Sequence, residues 1–424
     1  MIRPLLLCLA LLTPVPGLAA LPDTLPVESP WKAEVRRGPD GRLTAVPMRQ
    51  SGGPGADAAP PQATMVVGPG ERVTSITEAA QLARNGEVVE IRPGEYHGQP
   101  AVWTQDKLLI RGAAGGRPVM LADGRSAEGK AIWVVRGGRV DIDNIEFRGA
   151  RVPTGNGAGI RFEGGQLVVR RSAFVDNENG ILTANQPDMT LEVYDSRFGA
   201  APQHAGMLHH LLYVGAIGRF VLEGSHFEQG YLGHLVKSRA RENLIRYNQL
   251  VDGAGGRASY ELEFPDGGVA HVIGNVIGQS AETDNPVLIS YGAESARWPD
   301  NALFLAHNTL LNDARAGSYL KVWHEKFPGG VETWLINNLS IGYGDVQPPP
   351  LGRFEGNKRA ERRDLPDDGS GQPLRLRRDS PLRGSVRLPG PAQGVDLLPT
   401  AEFFPPAGRR AIHPSSTLAP GAFQ

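Results

Sequence analysis

Short runs in which apolar and polar residues alternate recur along most of this chain. They are too brief, and too often interrupted by glycine, to be helices. From about residue 131 each unit ends in a strand of the form apolar–x–apolar–x–polar–x–apolar, at 140–147, 167–174, 191–198, 220–227, 244–250, 271–277, 304–310 and 334–341. One position in these strands reads Ile145, Ser172, Ser196, Ser225, Asn248, Asn275, Asn308 and Asn338, at spacings of 27, 24, 29, 23, 27, 33 and 30 residues. Constant strands at variable spacing put the insertions in turns. Strands stacked about 4.7–4.9 Å apart let a Ser or Asn at one bend bond its counterpart in the next coil, so an inward polar group is satisfied. The pattern predicts an all-β fold, a right-handed parallel β-helix solenoid made by a single chain, with about eight to ten coils. A β-sandwich is the main rival, and it predicts no such column.

A second strand precedes most of these, at 180–183, 210–214, 234–238, 259–264, 287–291 and 319–323. These strands should build the long sheet that presents binding side chains. At the front of the repeat, Ser75 can cap a short helix over 76–83 whose apolar side is Ile76, Ala79, Ala80 and Ala83. An exposed coil end needs such a lid.

Boundaries follow from shifts in composition. Residues 1–20 read as a secretory signal, with Arg3, an apolar core over 5–12 and small residues Gly17, Ala19 and Ala20. Residues 21–63 are a Pro/Gly-rich linker or arm, 64–345 the β-helix, and 346–424 an irregular tail expected to fold back on the coils. The protein is thus expected to be periplasmic or secreted. Its one cysteine, Cys8, lies inside the signal, so no disulfide stabilises the mature chain. The formal charge of −1, with no basic run interleaved with aromatics, gives no reason to expect nucleic acid or a membrane surface as partner. A monomer is expected.

Counting from the polar column fixes the register of the second strands. Lys237 lies 11 residues before Asn248, Tyr213 lies 12 before Ser225, and Glu263 lies 12 before Asn275. The three should fall near one column. Alternation turns Lys237, Arg239, Glu261 and Glu263 outward, opposite to Val236, Leu262 and Phe264. His210 and His234 start equivalent strands. Tyr260, Tyr291, Arg257 and Asn179 are further candidates for substrate contact. The plainer reading is a polar solvent face with modest Lys–Glu pairs between coils, and packed histidines bonded to backbone. The run Asp176, Asn177, Glu178, Asn179 reads as a turn before it reads as a calcium or sugar contact.

Val236-Lys237-Ser238, followed by Asn243-Leu244-Ile245-Arg246-Tyr247-Asn248, resembles the polysaccharide lyases of the chondroitinase B and alginate lyase type (family six), within the pectate-lyase-like β-helix superfamily. The specific resemblance covers about residues 234–278. It implies that Lys237 is the base that abstracts a proton, that an arginine on the next coil assists, and that acidic residues just before the lysine bind Ca2+. Leu232 and Gly230 stand five and seven residues before Lys237, and Glu263 stands where the arginine would be. Calcium dependence therefore has no ligand set here, and no metal residue is assigned.

Breaking a uronate polymer by β-elimination needs a cation for the carboxylate, a base for the C5 proton and an acid for the leaving oxygen. Lys237, its pKa lowered by Arg239, is the candidate base. Arg239 or Arg257 is the candidate cation, and Tyr213 or His210 the candidate acid. Two other readings stand beside it: a glycoside hydrolase using Glu261 and Glu263, possibly with Asp266, and a carbohydrate-binding or structural β-helix without turnover.

Overall fold

The computed structural model describes residues 61–204, 207–366, 374–412 and 417–424, together with the backbone of Trp31–Arg37 and Leu43–Arg49. The expected signal, 1–20, lies outside the described residues, as does most of the expected linker or arm, 21–63. Within the latter, Trp31–Arg37 and Leu43–Arg49 pair antiparallel.

The rest is a parallel β-helix whose coils contribute to three sheets of 12, 11 and 9 strands. One coil shows the path. Glu242–Arg246 lies in the first sheet, Gln249–Val251 in the second and Leu262–Phe264 in the third, and the chain then re-enters the first sheet at Val269–Ile273. Neighbouring coils pair in strict register, as in Val221 to Leu244 to His271.

The bend between the first and second sheets has a repeated backbone solution. Its first residue takes positive φ, at Asn144 (58°), Arg171 (47°), Asp195 (49°), Tyr247 (58°), His307 (55°) and Asn337 (56°), with Gly224, Gly274 and Gly356 in the other coils. The next residue is the predicted column. The backbone N–H of Asn248 donates to Asn275 Oδ1 at 2.9 Å, that of Asn275 to Asn308 Oδ1 at 3.0 Å, and that of Asn308 to Asn338 Oδ1 at 3.0 Å. Each Asn amide also donates to a carbonyl of the preceding coil, Asn248 to Leu222 O at 2.9 Å and Asn275 to Ile245 O at 2.9 Å. The bend thereby leaves no donor of these buried side chains unmet.

The stack runs on past the boundary expected at 345. Gly352–Glu355 and Lys358–Ala360 add another coil, and Asn357 extends the column by accepting from the Asn338 N–H at 3.0 Å. The proline run Pro348-Pro349-Pro350 hides this coil in the sequence, because it breaks the alternation just before the strand.

Apolar side chains fill the bore coil by coil. Phe147, Phe174, Phe198 and Phe227 stack at centroid distances of 5.2, 4.6 and 4.4 Å. The helix Ile76–Leu82 covers the first coils. Ser75 Oγ accepts from the Glu78 N–H at 3.2 Å, and Ile76, Ala79 and Ala80 are buried. Gln105 ties the helix end to the third sheet by donating to Ala80 O and Ala83 O. The C-terminal segment lies along the outside of the first two sheets. There His271 Nε2 meets Ala392 O at 3.0 Å, Leu397 packs with Phe304 and Ile336, and the Ala422 N–H donates to Thr309 Oγ1 at 3.0 Å. Among the described residues no helix is long and apolar enough to cross a membrane.

Candidate active site

The third sheet carries the candidate site. Pairing aligns Tyr213, Lys237, Glu263, Ser290 and Lys321 in one outward column over five coils. On one side of it stand Leu212, Val236, Leu262 and Ile289, and on the other Val214, Ser238, Phe264 and Tyr291, all turned inward. The period of two along each strand makes this division.

Charge collects around Lys237. Its Nζ lies 3.4 Å from Glu263 Oε2 and 2.8 Å from Glu294 Oε1. Arg239 reaches Asp266 Oδ1 at 2.6 Å and Glu294 Oε2 at 2.5 Å, and its Nε donates to Tyr213 Oη at 3.0 Å. The Glu294 carboxylate therefore lies across both cations. The Lys237 ammonium also stands 5.6 Å from the Tyr213 ring centroid.

Two histidines stack at the strand entrances, with ring centroids 4.6 Å apart. His210 Nδ1 accepts the His234 backbone N–H at 2.9 Å, and His234 Nδ1 accepts that of Tyr260 at 3.3 Å. A neutral ring that accepts at Nδ1 carries its proton on Nε2. His234 Nε2 so faces Glu263 Oε2 at 3.0 Å. Tyr260 packs on His234 at 5.0 Å. The plainer reading of both histidines, bonded to backbone and packed, is what the structure has, and His234 still touches the charged cluster.

These contacts set protonation. Burial drives the Lys237 ammonium down, but Glu263 and Glu294 outweigh it and the net shift is upward. The lowered Lys237 pKa expected from Arg239 is thus reversed, because two carboxylates rather than the arginine dominate its surroundings. Burial raises Glu263 and Glu294, yet His234 and Lys237 bring the first down, and Lys237 and Arg239 the second. Burial depresses His210 strongly and His234 also, so both rings are neutral at pH 7.

Glu261 does not join Glu263 on the outer face. It is 0% exposed, and neither carboxyl oxygen has a hydrogen-bond partner. The strand begins at Leu262, so Glu261 sits in the preceding bend, where the neighbouring coils place Leu235 and Leu288 in the bore. Burial, with Asp252 nearby, raises its pKa well above the carboxylate range and keeps it neutral. The Glu261–Glu263 pair of the hydrolase reading is therefore not formed on the outer face. Tyr291 is also interior rather than a substrate contact. Its ring packs on Phe264 and Phe327, and its hydroxyl donates to Gly268 O at 2.5 Å. Arg257 stacks on Tyr231 at 5.6 Å on a flanking loop, apart from the Lys237 cluster. Asn179 is buried one coil before His210, with its N–H on Gly157 O.

Glu294 was not found from the sequence. It lies in the insertion between Val287–Tyr291 and Ala302–Ala306, where no period reaches it. The one visible signal was the long 33-residue spacing from Asn275 to Asn308. Backbone bonds from Glu294 and Ser295 to Pro265 O hold this loop, and Ser295 Oγ donates to Asp266 Oδ1 at 3.1 Å. Trp298 Nε1 donates to Arg239 O at 2.9 Å. Among the described residues no group of three or more His, Cys, Asp or Glu is placed to hold a metal ion.

No family model and no curated protein matches the sequence. Solved structures with a similar chain path include pectate lyase Pel9A, at 14% identity and TM-score 0.49 over 83% of this chain and 91% of that one. A PL6 family polysaccharide lyase from Pseudopedobacter saltans is similar at 14% identity and TM-score 0.36, over 73% of this chain and 96% of that one. The pectin methylesterase PemA from Erwinia chrysanthemi is similar at 10% identity and TM-score 0.30, over 70% and 94%.

Proposed function

We propose that this protein is a polysaccharide-acting enzyme that cleaves a uronate-containing glycan by β-elimination over the third sheet. The observation that carries the reading is the Glu294 carboxylate lying across Lys237 and Arg239 at 2.8 and 2.5 Å. Two cations that already hold one carboxylate are suited to hold another. Elimination beside a uronate first needs its carboxylate neutralised, so that negative charge can spread into it as the C5 proton leaves. The Glu294 side chain is 44% exposed, so it can turn out to water as a substrate carboxylate takes its place.

The protonation of the cluster then suggests roles. Arg239 and Lys237 hold the carboxylate and stabilise the enolate-like charge. Tyr213 Oη, which accepts from Arg239 Nε at 3.0 Å, is the group placed to take the C5 proton. The C–H electron pair becomes the C4–C5 double bond, and the C4–O bond breaks. Lys237, held as ammonium, gives a proton to the leaving oxygen, and water restores both groups. Lys237 is then acid and Tyr213 base, whereas the resemblance implies Lys237 as the base. His234 positions Glu263, which keeps Lys237 charged.

The test is a panel of acidic and neutral polysaccharides read by two assays. Elimination leaves an unsaturated uronate that absorbs in the near ultraviolet; hydrolysis releases reducing ends without it; a binding protein gives neither. Near-ultraviolet product on an acidic polymer supports the reading. Reducing ends alone, or no product on any polymer, overturn it.

A further inference from the structure

Three coils beyond Lys237 the outward column reaches Lys321, in register through Glu263 and Ser290. The Lys321 Nζ lies 4.4 Å from the Trp323 ring centroid, and the Lys326 Nζ lies 5.3 Å from the same ring. One indole thus gathers two ammonium groups. Neither has a carboxylate at ion-pair distance among the described residues; Lys326 donates to the carbonyl of Ala293. This differs from Lys237 and Arg239, each of which meets two carboxylates. Like charges held together without a direct ion-pair partner repel one another, and an anionic ligand relieves that repulsion. Trp323 Nε1 has no acceptor either. Ser290, in the coil between, has a buried hydroxyl without a partner.

We propose that Lys321, Lys326 and Trp323 form a second subsite of the groove, which binds an anionic sugar residue of the chain held at Lys237. The separation of three coils is roughly 14 Å at a strand spacing of about 4.7–4.9 Å. A pyranose unit advances a glycan by close to one coil spacing, so a ligand that spans both places is about four sugars long. The two lysines bind carboxylate or sulfate on the distal sugar, and the indole holds the lysines in place. The subsite rests on the reading of the third sheet as a polysaccharide groove. It adds that affinity grows with chain length in one direction, along coils that follow Lys237.

The experiment is calorimetric titration of the full chain with the disaccharide and the hexasaccharide of galacturonate and of alginate. Lys321→Glu and Lys326→Glu are compared with Lys107→Glu, an exposed lysine in the early coils. Each groove variant is expected to lose about five-fold in affinity for the hexasaccharide and nothing for the disaccharide, as suits one exposed charge contact. Lys107→Glu should leave both unchanged. Equal losses at both lengths, or no loss at either, overturn the subsite. Near-ultraviolet product is read on the same samples. Lys321-dependent binding of the hexasaccharide without product supports the subsite and overturns only the lyase reading. A protein that binds none of these oligosaccharides overturns both.

Discussion

Two columns run along this solenoid, and they solve opposite problems. The column at the first bend repeats one answer, with Ser or Asn from Ser172 to Asn357, each oxygen taking the N–H of the coil before. The outward column of the third sheet repeats nothing, reading Tyr213, Lys237, Glu263, Ser290, Lys321. The first lies in the interior, where an unmet polar group is costly and identical neighbours satisfy one another. The second lies at the surface of the sheet, and its Lys237 is matched to Glu294, a group from another element. Uniformity marks a column that holds coils together, whereas variety marks one available for chemistry.

Substitutions in the varied column give the largest expected effect. Tyr213→Phe and Lys237→Arg should each lower turnover by about 10²–10⁴-fold, because each removes a group proposed for proton transfer and keeps its shape or charge. The thermal midpoint should hardly move. Full activity in Lys237→Arg would show that the lysine acts only as a charge. In the uniform column the effect should invert. Asn275→Leu removes the acceptor for two Asn248 donors, and a loss of about 2–4 kcal/mol in urea unfolding is expected. Activity per folded molecule should be kept.

Glu261 sharpens the comparison, since it is a charged residue type in an interior position. Its folded pKa is raised above the ordinary value of 4.5. The neutral acid is therefore the form the fold accepts. Its contribution is fully present below that ordinary value and is lost as pH rises through the raised folded value. Glu261→Leu, which matches Leu235 and Leu288, should stabilise the protein by about 1–3 kcal/mol at pH 8 and by less at pH 4. Denaturant midpoints at the two pH values measure it. His210 and His234 have depressed values and act in the other direction. Their contribution is present above about 6.5 and is lost as pH falls. The smallest effect is expected at Glu294→Gln. Freed from that carboxylate, Lys237 and Arg239 should bind anionic oligosaccharides about two- to five-fold more tightly. Weaker binding would show that Glu294 positions the cations rather than occupying their seat.

How far each feature could be read in advance follows from the same contrast. The bend column was legible because one residue type recurs in every coil. Counting from it placed Tyr213, Lys237 and Glu263 correctly, since the strands between keep register. Alternation failed at Glu261, because a bend interrupts the strand one residue earlier than a strict period of two allows. Tyr291 shares its register with Phe264 and Ser238, both inward, and that comparison of coils would have excluded it from substrate contact. The last coil was missed because Pro348-Pro349-Pro350 cannot enter a ladder.

By itself the sequence determined the coil stack, its lid helix and the line of outward residues that includes Lys237. Those follow from periodicity and from the need of every buried donor for an acceptor. Only the tertiary structure decided which charges meet. Glu294 and Asp266 reach the cations from turns without period, and Glu294 joins Glu263 in holding Lys237 as an ammonium. Side-chain order along a strand is local, but a protonation state is the sum of charges brought near from every element.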